Sequence, residues 1–178
     1  MIRRDLIKAT FGLALAGRTG RQDEPATARP QEGDLLVRAN DESRTPLRPD
    51  DIPLGAMQTM AWAMEPARQI VRSGHRFNQI LLVRLDPAKL RDATRAQAAD
   101  GVVAYTVICT HGGCDVDDWL KDEQLLSCSC HASAFDPKDN GKVVDGPAPR
   151  ALPALPLTVA NGRLVVAKPF NARIGFEG

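Results

Sequence analysis

The chain has 178 residues, a length typical of one domain with short appendages. Hydrophobic residues make up 43% of it, which excludes wholesale disorder, and five Phe, two Trp and one Tyr leave most of the core to aliphatic side chains. The 23 Lys and Arg residues balance 22 Asp and Glu residues, so the chain lacks the excess of positive charge that would bind a phosphate backbone. Nucleic acid is therefore not an expected partner.

The N-terminus carries paired arginines, Arg3 and Arg4, followed by a short apolar run over residues 9–17. This pattern is typical of a twin-arginine export signal, and the run is too short for a conventional membrane-spanning helix. We therefore predict a signal over residues 1–17 that is either cleaved or kept as a weak membrane anchor. The polar residues 18–33 then predict a linker.

The pattern of residues 34–178 predicts mainly antiparallel β structure. We expect strands over residues 34–37, 80–85, 102–109, 124–128 and 142–144. Two further strands flank Asn161-Gly162, which is a strong hairpin signal.

One helix is predicted in this region. Asp86 is a suitable N-cap, Pro87 suits the first helical position, and Gly101 suits the C-terminal stop. Three methionines also fall at helical spacing near Trp62, and we interpret them as core packing rather than as a soft binding face. They are Met57, Met60 and Met64.

All four cysteines and two of the three histidines lie in two short segments. The first segment reads Cys109-Thr110-His111-Gly112-Gly113-Cys114. The second reads Cys128-Ser129-Cys130-His131-Ala132-Ser133. Thiolates and imidazoles are metal ligands, and each segment offers one Cys and one His at short spacing.

Three chemistries compete for this ligand set. A structural zinc site would leave Cys114 and Cys130 without a role. A cysteine nucleophile with a histidine base would not need the second segment. A Rieske [2Fe-2S] cluster, with two Cys on one iron and two His on the other, gives both segments a role, so the residues favour it.

The two segments resemble the boxes of the high-potential Rieske iron-sulfur proteins, C-T-H-x-G-C and C-x-C-H-x-S, and the resemblance covers about residues 102–167. It implies a Rieske-type antiparallel β sandwich with one or two short helices. It also implies an inserted cluster-binding subdomain over about residues 105–150, and one [2Fe-2S] cluster per chain.

The resemblance also assigns roles to individual residues. The ligands of one iron would be Cys109 and Cys128, and those of the other His111 and His131. Cys114 and Cys130 would form a disulfide between the two loops. The family's proline loop, which covers the cluster, corresponds to Gly146, Pro147, Ala148 and Pro149.

Two positions match residues that tune the cluster, and two depart from the family pattern. Ser133 matches a serine that donates to a bridging sulfide, whereas Phe135 replaces a Tyr of the highest-potential members. Gly112 replaces the Leu of many quinol-oxidising members. Ala132 replaces a Gly, which costs stability if its φ is positive.

We therefore expect an electron-transfer protein without stand-alone catalysis. A disulfide agrees with the export signal in placing it in the periplasm, either soluble or attached to the outer side of the inner membrane. Oxygenase activity is excluded because such enzymes need two more histidines and a carboxylate, and only His75 remains, which we interpret as a surface histidine.

The leading prediction is the iron-sulfur subunit of a quinol:cytochrome c reductase-like complex, with cytochrome b and c type subunits as partners and quinol as a candidate reductant. The alternative is an electron-relay small subunit of a periplasmic molybdenum oxidoreductase of the arsenite oxidase type, with a molybdenum catalytic subunit as its partner. A third alternative, from a different functional class, is a redox-silent binding module with a structural metal.

Overall fold

The computed structural model describes residues 25–176. The predicted export signal and the first part of the predicted linker lie outside this range. The remaining linker residues are docked on the domain, because the Asn78 side chain donates to the carbonyls of Thr27 and Ala28 and the Gly74 amide donates to the carbonyl of Ala26. No helix among residues 25–176 has the length and apolar character needed to cross a membrane.

Residues 25–176 form eleven strands and one short α-helix. The strands are β1 (Leu35–Arg38), β2 (Thr59–Glu65), β3 (Ile70–Val71), β4 (Ile80–Arg84), β5 (Val102–Thr106), β6 (Asp118–Leu120), β7 (Leu125–Cys128), β8 (Ser133–Asp136), β9 (Lys142–Asp145), β10 (Leu157–Ala160) and β11 (Arg163–Val166). The helix α1 spans Asp92–Arg95, and single 3-10 turns span Pro49–Asp51, Arg76–Asn78 and Pro87–Lys89.

The strands form two antiparallel sheets. The larger has the order β10-β11-β1-β2-β4-β5, with β3 paired to β2, and the smaller has the order β6-β7-β8-β9. The whole smaller sheet is formed by the chain between β5 and β10. The mainly antiparallel β fold with an inserted sheet is thus confirmed, whereas the predicted domain boundaries stay predictions.

The alternation of side chains along β4 and β5 builds two cores, because successive residues of a strand point to opposite faces. On one face, Leu81, Val83 and Tyr105 pack with residues of the smaller sheet in a core that also contains Cys109 and Cys128. The side chains on the opposite faces of the same strands contribute to a second core, which is formed by residues of the larger sheet and of its loops. The two predicted thiolate ligands thus lie at the edge of the core between the sheets.

The predicted helix after Asp86 is wrong in extent. Asp86 does cap the chain by accepting from the Ala88 amide, but the resulting 3-10 turn ends at Lys89. Leu90 then adopts an extended backbone and is only 2% exposed, because it packs into the core between the sheets. Burial of this one side chain breaks the helix and leaves only the single turn of α1.

The three methionines do not lie on a helix. Met60 and Met64 belong to β2, in which Ala61 and Ala63 alternate into the second core. Met64 is buried and Met60 packs against the core between the sheets, as expected for packing residues. Met57 is 54% exposed, so its assignment to the core is wrong.

Candidate metal centre

The first box forms a tight loop, residues 109–114, that follows β5. The Cys109 amide donates to the carbonyl of Cys114 at 2.8 Å, and the Gly113 amide donates to the carbonyl of Cys109 at 3.1 Å. Next to the loop, Ile108 and Asp115 form an antiparallel bridge. Loop 1, as we call residues 109–114, is therefore closed by its own backbone.

The second box forms loop 2, residues 128–133, which connects β7 to β8. Its two ends, Cys128 and Ser133, are paired across the two strands. Ser129 holds the loop beside loop 1, because its amide and hydroxyl both donate to the Asp117 carboxylate, at 3.2 Å and 2.9 Å. These hydrogen bonds lower the pKa of Asp117 and keep it charged.

A disulfide between Cys114 and Cys130 connects loop 1 to loop 2, with a Cα–Cα distance of 6.5 Å. The predicted pairing is therefore present. Because the bond joins the last residue of loop 1 to the interior of loop 2, it holds the two boxes next to each other.

The remaining two cysteines are free thiols, and both are 1% exposed. Burial raises the pKa of Cys128 to about 11, and the neighbouring Cys109 thiol adds to this increase. A buried pair of thiols at the edge of a core offers two soft ligands to a metal that can deprotonate them.

Among the described residues, a group of three potential donors includes Cys128 but not Cys109. The sulfurs of Cys114, Cys128 and Cys130 all lie within 4.8 Å of one another. Two of these sulfurs are joined in the disulfide and cannot supply thiolates. Chemistry thus excludes a three-cysteine site and leaves Cys128 together with Cys109.

The two histidines of the boxes come together at the outer side of the loops. The ring centroids of His111 and His131 are 4.6 Å apart with the rings edge to face. His131 is exposed, whereas the Nδ1 atom of His111 is buried and has no hydrogen-bond partner among the described residues. A buried ring nitrogen of this kind is available as a metal ligand.

Ser133 and Phe135 lie on β8 beneath the loops, and both are fully buried. The Oγ atom of Ser133 is also buried, and it has no hydrogen-bond partner in the described part of the chain. A second unsatisfied polar atom at the same place fits a buried acceptor such as a bridging sulfide. Phe135 packs in the same core as Cys109 and Cys128.

The proline loop, residues 146–149, covers loop 2 from a third side. Gly146 has φ +79°, and a Cβ there would lie 2.7 Å from the carbonyl oxygen of Ala132. The loop is also connected to loop 1, because the Thr110 hydroxyl donates to the carbonyl of Arg150 at 2.6 Å. The chain over residues 146–150 therefore contacts both loop 1 and loop 2.

The departures from the family pattern have clear structural consequences. Ala132 has φ +57°, so the loss of stability expected for an Ala with a positive φ applies. Gly112 is exposed, and a Cβ there would meet no atom within 4 Å. The tip of loop 1 thus carries no apolar side chain.

His75 is not part of the site. It is exposed, and its Nδ1 accepts from the Phe77 amide at 3.1 Å, which caps the 3-10 turn Arg76–Asn78. The prediction of a surface histidine is confirmed.

Several residues that support the loops were missed in the sequence. Thr110 donates to the carbonyl of Arg150, which follows the proline loop, and Asp117 accepts from Ser129 of loop 2. Arg76 donates to the carbonyl of Gly113 in loop 1. Phe176 packs on Gly113, and the Arg150 guanidinium donates to the carbonyl of Gly175. These contacts join residues 12 to 63 positions apart, so no local pattern marks them.

The comparisons with known proteins agree with this geometry. The family model described as "Rieske [2Fe-2S] domain" matches residues 68–156. The cytochrome bc1 complex Rieske iron-sulfur subunit of Streptomyces lividans is 32% identical over 147 residues, which cover 81% of this chain and 85% of that protein. A putative respiratory nitrate reductase Rieske subunit of Haloferax mediterranei is 41% identical over 100 residues, which cover 55% of this chain and 44% of that protein.

The relatives differ in length. The cytochrome bc1 complex Rieske subunit of Streptomyces coelicolor is also 32% identical, but the match covers only 41% of that protein. Among solved structures, the ferredoxin of carbazole 1,9a-dioxygenase from Nocardioides aromaticivorans IC177 is 18% identical with a TM-score of 0.46, over 75% of this chain and 98% of that one.

Proposed function

Since this chain belongs to the Rieske [2Fe-2S] domain family, we propose that it is the iron-sulfur subunit of a quinol:cytochrome c reductase-like complex. It binds one [2Fe-2S] cluster and transfers electrons through it. The bound cluster supplies one-electron chemistry at a potential that histidine ligation raises above that of all-cysteine clusters. The remaining question is what the residues of this chain contribute.

The ligand set that we propose follows from the buried donors. Cys109 and Cys128 hold one iron, because they are the free thiols of the two loops and lie side by side. His111 and His131 hold the other iron, and the unpartnered Nδ1 of His111 supports this assignment. Cys109 and Cys128 would thus hold an iron on the side of the core, and His111 and His131 would hold an iron on the side of the solvent.

The thiol end and the histidine end of the site differ in their exposure to water. The thiols are excluded from water by the core between the sheets, and Ser133 offers its hydroxyl from β8. His131 is exposed, and so are Pro147 and Pro149 of the proline loop. We infer that electrons enter and leave at the histidine end, where a partner can come into contact with the ligands.

The match to the Streptomyces lividans protein is the observation that carries the assignment to a complex. It extends over 85% of a protein named as the Rieske subunit of a cytochrome bc1 complex. By analogy, the partners of this chain would be cytochrome b and c type subunits, and a quinol would be the reductant. The partners stay a proposal, since longer relatives contain parts that this chain does not match.

A second candidate is an electron-relay small subunit of a periplasmic molybdenum oxidoreductase of the arsenite oxidase type. Gly112 favours it, because the tip of loop 1 carries no apolar side chain with which to dock into a quinol-binding subunit. The match to a protein named as a Rieske subunit of a respiratory nitrate reductase also shows that such domains serve complexes other than cytochrome bc1.

We place either complex on the periplasmic side of the membrane. The disulfide between Cys114 and Cys130 supports this location, because structural disulfides persist in oxidising compartments. The paired arginines Arg3 and Arg4 support it independently.

Affinity purification of the tagged full chain from native membranes distinguishes the two complexes. The proposal expects cytochrome b and c type haems in the purified material, and reduction of the protein when a short-chain quinol is added. A molybdenum subunit without haem b would instead establish the second candidate. A fraction of the tagged chain that is found in the cytoplasm with free Cys114 and Cys130 would contradict the location.

A further inference from the structure

Arg76 bonds to loop 1 from outside the site. Its Nη1 donates to the carbonyl of Gly113 at 3.0 Å, and its Nη2 pairs with the Asp115 carboxylate at 2.5 Å. Arg76 opens the 3-10 turn Arg76–Asn78, which Asn78 anchors to the domain as a fully buried residue. The Arg76 guanidinium therefore contacts loop 1, which carries the proposed ligands Cys109 and His111.

The peptide that Arg76 contacts is held from several sides. The Gly113 amide donates to the carbonyl of Cys109, and Gly113 has φ +75°. A Cβ at Gly113 would lie 2.8 Å from the ring of Phe176, so this ring is packed directly on the loop backbone. Gly113 also precedes Cys114, so the contact with Arg76 adjoins the disulfide. Any displacement at Gly113 would be passed on to Cys109 and to the disulfide.

We propose that Arg76 is a positioning residue that fixes loop 1 and also raises the reduction potential of the cluster, while the Asp115 carboxylate lowers this potential. The proposal rests on the ligand assignment made above, because it needs Cys109 and His111 to be ligands. It extends that assignment by naming a charged pair outside the two boxes that sets the potential.

The direction of the effect follows from charge. Reduction adds one negative charge to the site, so a nearby cation stabilises the reduced form and a nearby anion destabilises it. The side chains of Arg76 and Asp115 are 52% and 47% exposed, so water and salt screen both effects. Removing one member of the pair should therefore give a modest shift whose sign depends on which member is lost.

The two members of the pair thus allow a test that a purely structural role would fail. We would measure the midpoint potential and the EPR spectrum of the holoprotein for Arg76→Gln and Asp115→Asn at low ionic strength. We expect a lower potential for Arg76→Gln and a higher potential for Asp115→Asn, and both shifts should shrink in high salt. Arg76→Lys keeps the charge, so it should restore most of the wild-type potential.

A matched control is Arg68→Gln, which removes the exposed guanidinium that pairs with Glu65 at the turn between β2 and β3. It should leave the potential unchanged. Shifts of the same sign in both variants, or no shift while the EPR signal is intact, would overturn the proposal. If Arg76→Gln fails to assemble a cluster, Asp115→Asn and Arg76→Lys still decide the sign. Wild-type protein without a Rieske EPR signal would instead refute the proposed ligand assignment.

Discussion

Gly146 and Ser133 approach so closely that a Cβ on Gly146 would lie 2.5 Å from the Cα of Ser133. The contact brings the proline loop onto the first residue of β8, whose buried hydroxyl has no hydrogen-bond partner among residues 25–176. The close contact of Gly146 with Ser133 therefore places the backbone of the proline loop against loop 2, on one side of the site.

Substitution Gly146→Ala should therefore push the proline loop away from loop 2. We expect a loss of stability above about 1 kcal/mol, because the strain of an Ala at φ +79° is added to the clash. The holoprotein should also lose its visible absorption faster in urea. Gly33→Ala is the matched control, since Gly33 has φ +87° but a Cβ there would meet no atom within 4 Å. Equal effects of the two substitutions would show that the close approach contributes nothing.

Ala132→Gly should stabilise the protein, in contrast to most substitutions in a tight loop. Ala132 has φ +57°, and relief of this conformation should contribute roughly 1 kcal/mol to the free energy of unfolding measured in urea. The exposed Ala93 of α1 provides the opposite control, because Ala93→Gly should cost about 0.5 to 1 kcal/mol. A loss of stability in Ala132→Gly would mean that the alanine backbone is not strained.

Phe135→Tyr should raise the reduction potential. The ring is fully buried in the core that holds Cys109 and Cys128, so the added hydroxyl would have to find a partner among the ligand sulfurs or remain unsatisfied. A hydrogen bond to a sulfur stabilises the more negative reduced state. Protein film voltammetry tests this, with Phe135→Leu as a control that lacks the hydroxyl. A lower or unchanged potential together with lost stability would show that the ring does not face the ligands.

Local patterns were enough to predict much of the fold. Asn161 and Gly162 both have positive φ and form the predicted hairpin turn between β10 and β11. The apolar run at residues 80–85 contains β4, which lies between β2 and β5 in the larger sheet. The pairing of Cys114 with Cys130 followed from the resemblance of the two boxes and is present in the structure.

Non-local contacts explain what could not be predicted. The helix after Asp86 is broken because Leu90 packs against a core built from distant strands, which its own neighbourhood does not reveal. The short strands β6 and β8 were missed, since three or four residues carry too little alternation to identify a strand. The contact of Arg76 with Gly113 joins two segments whose proximity depends on the whole sandwich.

The central claim is that Cys109, His111, Cys128 and His131 hold one [2Fe-2S] cluster. Analysis of iron and acid-labile sulfide in the anaerobically purified chain, with the EPR spectrum of the reduced sample, tests it most directly. We expect two irons and two sulfides per chain with a Rieske-type signal, and loss of both in Cys109→Ser and in His131→Ala. One zinc per chain without sulfide, or an unchanged cluster in either variant, would contradict the claim.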